Sequence, residues 1–176
     1  MNRTDYNSDS PRTSLPIAYL GIFLTLAVIF GYVEALIPVP VPVPGIKLGL
    51  TNLVITAVLY VYGYRYALII SSVRVVIIGF LFGNLFSILY GLAGAVLSLT
   101  AMALLKKTGK FKVIGISALG GVMHNVGQVL MAAAVVTCFP VKWYLPILMI
   151  AGLGAGILTG FADALIIPRI HRFGVR

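Results

Sequence analysis

Glu34, Arg74, His124, Asn125 and Gln128 each lie inside a long apolar run. A charged side chain near the middle of a bilayer costs roughly 2.5–3.5 kcal/mol on insertion scales, so such groups pair with one another, line a cavity, or do both. Ser117, Gly121, His124 and Gln128 are spaced by four, three and four residues, which puts them on one helix face, with Asn125 bordering it. An imidazole and two carboxamides on an otherwise apolar helix can hydrogen-bond a polar ligand, or one another as core groups. Arg74 can receive an anionic group through charge-assisted hydrogen bonds, with Glu34 orienting it or accepting from a ligand donor. The competing reading is an Arg74–Glu34 ion pair that holds two helices together. Lys47, Asn52 and Asn84 fall near the same level, and Thr51 and Asn52 open a helix whose N-terminus can bind an anion. The candidate binding set is therefore Glu34, Lys47, Asn52, Arg74, Asn84, His124, Asn125 and Gln128.

Other chemistries find no residues to carry them. The chain has no phosphate-binding Walker A loop, so it cannot drive transport with its own ATP. Its four acids are Asp5, Asp9, Glu34 and Asp163. Two are in the N-terminal tail and two lie at opposite ends of the bundle, so they cannot form an aspartate-rich Mg²⁺ site for diphosphate chemistry. His124 and His171 are separated by a helix-length gap. The single Cys138 excludes an intrachain disulfide and a cysteine-rich metal site. No catalytic residue, metal or cofactor is expected, and the chain reads as a non-enzyme. Asp163, a turn or two before Arg169, reads as a local ion pair or interface anchor, or as a contact for a cytoplasmic partner.

Positioning these residues requires membrane-spanning helices. Of 176 residues, 60% are hydrophobic and 10% charged, with a mean hydropathy of +1.07. That composition excludes an ordinary soluble domain. A span needs about 20 apolar residues, and the apolar runs predict helices over 15–37, 48–63, 65–82, 84–107, 111–138 and 144–168. The expected fold is an all-α integral membrane protein: six transmembrane helices in one bundle over 15–170, between a disordered tail at 1–14 and a short tail at 171–176. Tyr62-Gly63-Tyr64-Arg65, Gly83-Asn84, Thr108-Gly109-Lys110 and Phe139-Pro140 supply the turns, with Asn84 capping the fourth helix. Pro38, Pro40, Pro42 and Pro44 alternate with valines, predicting a stiff, extended first loop that serves as a connector or as a wall over a cavity. Gly152, Gly156 and Gly160, continued by Ala164, form a small-residue stripe suited to close helix packing or to docking another membrane subunit.

The net charge of +9 reflects topology rather than nucleic-acid binding. With the N-terminus inside, ten of the 13 basic residues fall in inner segments; Lys47 and Lys142 fall outside, and Arg74 lies within a span. The positive-inside rule then puts both termini in the cytoplasm and the polar constellation at the midplane or on its outer side.

Four stretches carry a resemblance. EALIPVPVPVPGIKLGLTN from Glu34 to Asn52, Arg74, NLFSILYGLAGAVLS from Asn84 to Ser98, and GGVMHNVGQ at 120–128 resemble the Gx transporter family, often labelled heptaprenyl diphosphate synthase component I. The similarity covers roughly residues 15–170. The family looks like the substrate-binding S component of energy-coupling factor transporters. The resemblance implies a multi-pass protein of a bacterial plasma membrane, with six helices, cytoplasmic termini and an outward pocket for a small anionic or amphipathic nutrient. It implies an energy-coupling transmembrane subunit with an ATPase pair as partner. The alternative is a non-catalytic membrane accessory of heptaprenyl diphosphate or quinone synthesis, or of flavin-linked redox machinery.

The charge count makes a direct prediction. Single cysteines at Lys47 or Lys142, in a background lacking Cys138, should label from outside intact cells, and one at Lys110 should not. The reverse pattern would turn the polar residues toward the cytoplasm.

Overall fold

The computed structural model describes residues 14–37, 49–136 and 141–172. The proline-rich loop, Lys47 and the Phe139-Pro140 turn lie outside them. Six helices follow one another: α1 (Ser14–Leu36), α2 (Leu50–Val61), α3 (Tyr64–Phe82), α4 (Leu85–Lys107), α5 (Val113–Val135) and α6 (Val141–Arg172). No strand occurs among the described residues. The last helix runs a turn beyond the expected 168 and carries Pro146 and Pro168 inside it. Prolines are tolerated in membrane helices when neighbours satisfy the freed backbone groups.

Five of the six helices are long and apolar enough to cross a membrane. The exception is the second, whose run of 48–63 is also the shortest of those read from the sequence. Helix α2 has only 12 residues, about 18 Å at 1.5 Å per residue, against a hydrocarbon core of about 30 Å. It is nevertheless the most enclosed element. Val54, Ile55, Thr56, Ala57, Val58 and Leu59 are buried in succession, so every face of the helix meets protein. Val54, Ile55, Val58 and Leu59 form the core with Ala27 of α1, Ala67 and Ile70 of α3, Leu99 and Met102 of α4, and Ile116 of α5. The large side chains of α1 and α6 that point away, such as Ile17, Ile22, Ile150 and Leu158, are exposed as a lipid-facing surface requires.

Local chemistry sets the boundaries. Gly63, with φ 90°, takes the chain from α2 into α3 through a conformation that L side chains rarely adopt. Asn84 begins α4 as part of a capping box: its Oδ1 accepts from Ser87 N at 2.9 Å, and Ser87 Oγ accepts from Asn84 N at 2.9 Å. At the other end of α4, Lys106 Nζ donates to Leu59 O at 2.9 Å and lies 4.4 Å from the Tyr60 ring centroid. An ammonium thus sits on the carbonyl end of α2, where the helix dipole is negative.

Small residues hold the second half of the bundle together. A Cβ on Gly121 of α5 would collide with the Gly152 carbonyl oxygen of α6. One on Gly156 would come within 2.6 Å of Ser117 O, and one on Gly160 within 2.8 Å of Ile114 Cα. The glycines of the α6 stripe are therefore spent inside the molecule, while Ala164 at its end is exposed. On α4, a Cβ at Gly94 would press on the His124 ring of α5 at 2.9 Å. Hydrogen bonds reinforce these seams: Ser98 Oγ donates to Gly120 O at 2.8 Å, and Ser117 Oγ meets Thr159 Oγ1 at 3.1 Å.

Gly121→Val should force α5 and α6 apart and lower thermal stability, by about 1–3 kcal/mol or more as for other overpacked sites. Gly154→Ala is the control: nothing lies within 4 Å of its added methyl, so detergent-solubilised protein should melt no earlier than the parent.

Candidate functional site

The end of α2 nearest Glu34 opens into a cavity of about 320 Å³. Its wall draws on α1, α2, α3, α4, α5 and α6. Five of the eight candidate residues line it: Glu34, Asn52, Arg74, His124 and Asn125. Lys47 lies outside the described residues. Asn84 is exposed and occupied as the cap of α4, although its neighbours Gly83 and Ser87 reach the cavity. Gln128 is half-buried and does not line it.

Glu34 is not paired as an ion-pair reading would have it. Its Oε1 accepts from Gly49 N at 2.5 Å and Leu50 N at 3.0 Å, and its Oε2 accepts from Thr51 Oγ1 at 2.7 Å. A carboxylate on α1 thereby caps the N-terminus of α2, where unpaired N–H groups and the dipole favour negative charge. Gly49 makes this possible: its φ of 78° turns its N–H toward Glu34 at the first step before the helix.

Arg74 of α3 is close enough to feel the charge of Glu34. Among the described residues, however, no ion pair joins them, and Arg74 Nε is buried without a hydrogen-bond partner. The side-chain amide nitrogen of Asn52 is in the same state. Two donors therefore lack acceptors, while the one carboxylate nearby is already engaged by three donors. His124 lies on the α4–α5 side, its ring accommodated by Gly94. Asn125 is nearly fully buried and committed to structure: its Nδ2 donates to Leu148 O of α6 at 2.6 Å.

The rest of the wall is small and partly polar. Ser71 sits one turn before Arg74 on α3, Ser98 closes the α4–α5 seam, and Thr159 closes the α5–α6 seam. Sequence reasoning passed over these hydroxyls because single serines and threonines are common in apolar helices. The Ser71-x-x-Arg74 spacing, which puts both on one face, was the available signal. Asp163 does not reach the cavity.

A helical bundle with several membrane-length spans around a donor-rich cavity defines a multi-pass membrane protein. Residues 23–166 match the sequence profile described as heptaprenyl diphosphate synthase component I, and the chain belongs to that family. No curated protein and no solved structure matches it.

Glu34→Gln keeps the shape but replaces a charged acceptor at the α2 N-terminus with a neutral one. It should lower stability by on the order of 1.5–3 kcal/mol, the usual worth of a hydrogen bond to a charged group. Thermal melting in detergent would measure this. An Arg74→Gln protein should lose less, because Arg74 makes no ion pair to break.

Proposed function

We propose that this protein is a substrate-capture component of a membrane transport system, binding a small anionic or amphipathic solute in the cavity at the α2 N-terminus. The observation that carries this reading is the imbalance of the wall. Arg74 Nε and the Asn52 amide nitrogen are buried donors with no acceptor among the described residues, and the nearest carboxylate is withdrawn onto α2. A buried donor without an acceptor is costly, and a cation more so. A ligand carboxylate or phosphate would relieve both at once. The cavity volume sits at the low end of the range for small-molecule sites. The glycine-lined α4–α5–α6 wall would take the apolar part of an amphipathic solute.

On this reading the molecule spans the membrane six times, with α2 as the short span. Both termini are cytoplasmic and the cavity faces outward, in the manner of the S components of energy-coupling factor transporters. An energy-coupling subunit with its ATPase pair would complete the system. The chain itself carries no catalysis. Glu34 acts in this site by setting the position of α2, and Arg74, Asn52 and His124 are the residues that would touch the solute.

The family description favours a second reading, in which the protein is the membrane partner of a heptaprenyl diphosphate synthase. Stable co-purification with a soluble prenyl synthase subunit, rather than with an ATPase module, would select it.

Native mass spectrometry of protein purified in mild detergent should reveal a co-purified small anion. Arg74→Gln should weaken retention roughly 10- to 100-fold, the equivalent of losing one charge-assisted hydrogen bond. Equal retention by parent and variant, at equal melting temperature, would remove Arg74 from the binding site.

A further inference from the structure

Asp163 is an acid with no counterpart. It lies toward the C-terminal end of α6 with no accessible surface, and neither carboxyl oxygen has a hydrogen-bond partner among the described residues. The expected ion pair with Arg169 is absent among them, and Arg169 is exposed. Thr56 of α2 lies against the carboxyl, yet its hydroxyl is turned to the Met102 sulfur of α4 at 3.9 Å, a weak acceptor. Thr56, Met102 and Asp163 are all fully buried.

No cation pairs with Asp163 among the described residues. On α2, Tyr60 is near enough for its phenol to feel the acid. On α4, Lys106 is engaged elsewhere, donating to the Leu59 carbonyl and seated over the Tyr60 ring. On α5, the Ser117 hydroxyl is shared with Thr159, and the only ionisable side chain, His124, lines the cavity. Thr159 also lines that cavity, and it precedes Asp163 by four residues on the same face of α6, about 6 Å along the axis. One helical turn of α6 thus separates the cavity lining from the acid.

An ionised carboxylate sealed from water without a partner is strongly disfavoured. Whatever occupies this position must bring one positive charge. We infer that Asp163 is a binding site for a single monovalent cation, a proton or a sodium ion, reached from the cavity past Thr159 and enclosed where α2 meets α6. With a proton, one O–H bond forms at a carboxyl oxygen using a proton from outside water, and the new hydroxyl can donate to Thr56 Oγ1; no other bond changes. With sodium, a carboxylate oxygen and the Thr56 hydroxyl oxygen supply lone pairs. Either ion removes an uncompensated charge that would otherwise need water between α2 and α6, so occupancy and helix contact are linked. This site is independent of the nature of the solute in the cavity.

The test uses the full chain in lipid nanodiscs, melted in potassium and in sodium buffers from mildly acidic to mildly alkaline pH. Because the folded form binds a cation that the unfolded form releases, the melting temperature rises with cation concentration. A proton site gives a midpoint that falls as pH rises in potassium, and a protonated-carboxyl C=O stretch in the infrared spectrum that is missing from Asp163→Asn. A sodium site gives a midpoint that rises on replacing potassium by sodium at fixed pH. In either case Asp163→Asn, nearly isosteric and neutral, loses the response. Thr56→Val keeps the acid and shifts the response, which serves if Asp163→Asn does not fold. A parent protein insensitive to both ions, or one whose responses Asp163→Asn reproduces, overturns the inference.

Discussion

Everything in this molecule is arranged around a helix too short for its environment. With about 18 Å of length, α2 cannot bring its unpaired backbone groups to water at both faces of a bilayer. The ends are satisfied from within instead. Glu34 reaches from α1 to the N–H end, and Lys106 reaches from α4 to the carbonyl end. Each charge has the sign that the helix dipole favours at its terminus, and each finds hydrogen bonds that offset the cost of partial burial. One helix is thereby tied both to the helix before it and to α4, 47 residues along the chain at the Lys106–Leu59 contact.

The shortness of α2 also produces the cavity. Where α2 stops, the longer helices continue, and the space above its first turn is left to side chains from all of them. The carboxylate that caps the helix is consumed in doing so. Arg74 is left with a buried Nε that has no acceptor among the described residues, and under the proposed function this is the group that would draw an anion. A mutation at Glu34 and one at Arg74 thus disturb different things, although the two residues are neighbours. The first disturbs the capped end of α2 and the second changes the charge of the cavity wall.

Much of this was legible in the chain. Apolar runs broken by glycines and by Asn84 gave element boundaries to within a few residues, because in lipid each backbone must satisfy itself and the helix is the simple way to do so. Glu34, Arg74, Asn52, His124 and Asn125 stood out because polar groups are rare in such runs, and the structure brings them around one cavity. What could not be read was how each is spent. The choice between an Arg74 pair and a helix cap for Glu34 depends on where the first turn of α2 comes to rest, which no local pattern encodes. Gln128 shares the helical spacing of His124 but not its surroundings, since periodicity fixes a face and not what lies opposite it. The solitude of Asp163 is likewise a tertiary fact; the sequence offered Arg169 as a plausible neighbour.

The glycine seam between α5 and α6 has a consequence for motion. Backbone there meets backbone, with Gly121 against Gly152 and Gly156 against Ser117 and Ala118. A small slide of either helix would carry Gly121 off Gly152 and Gly156 off Ser117 and Ala118, and so lose the closest backbone contacts of the seam. Sliding is therefore resisted by this close fit, with the Ser117–Thr159 hydrogen bond as a cross-pin. Of the two ways packed elements usually move, shear is the one this half of the bundle resists.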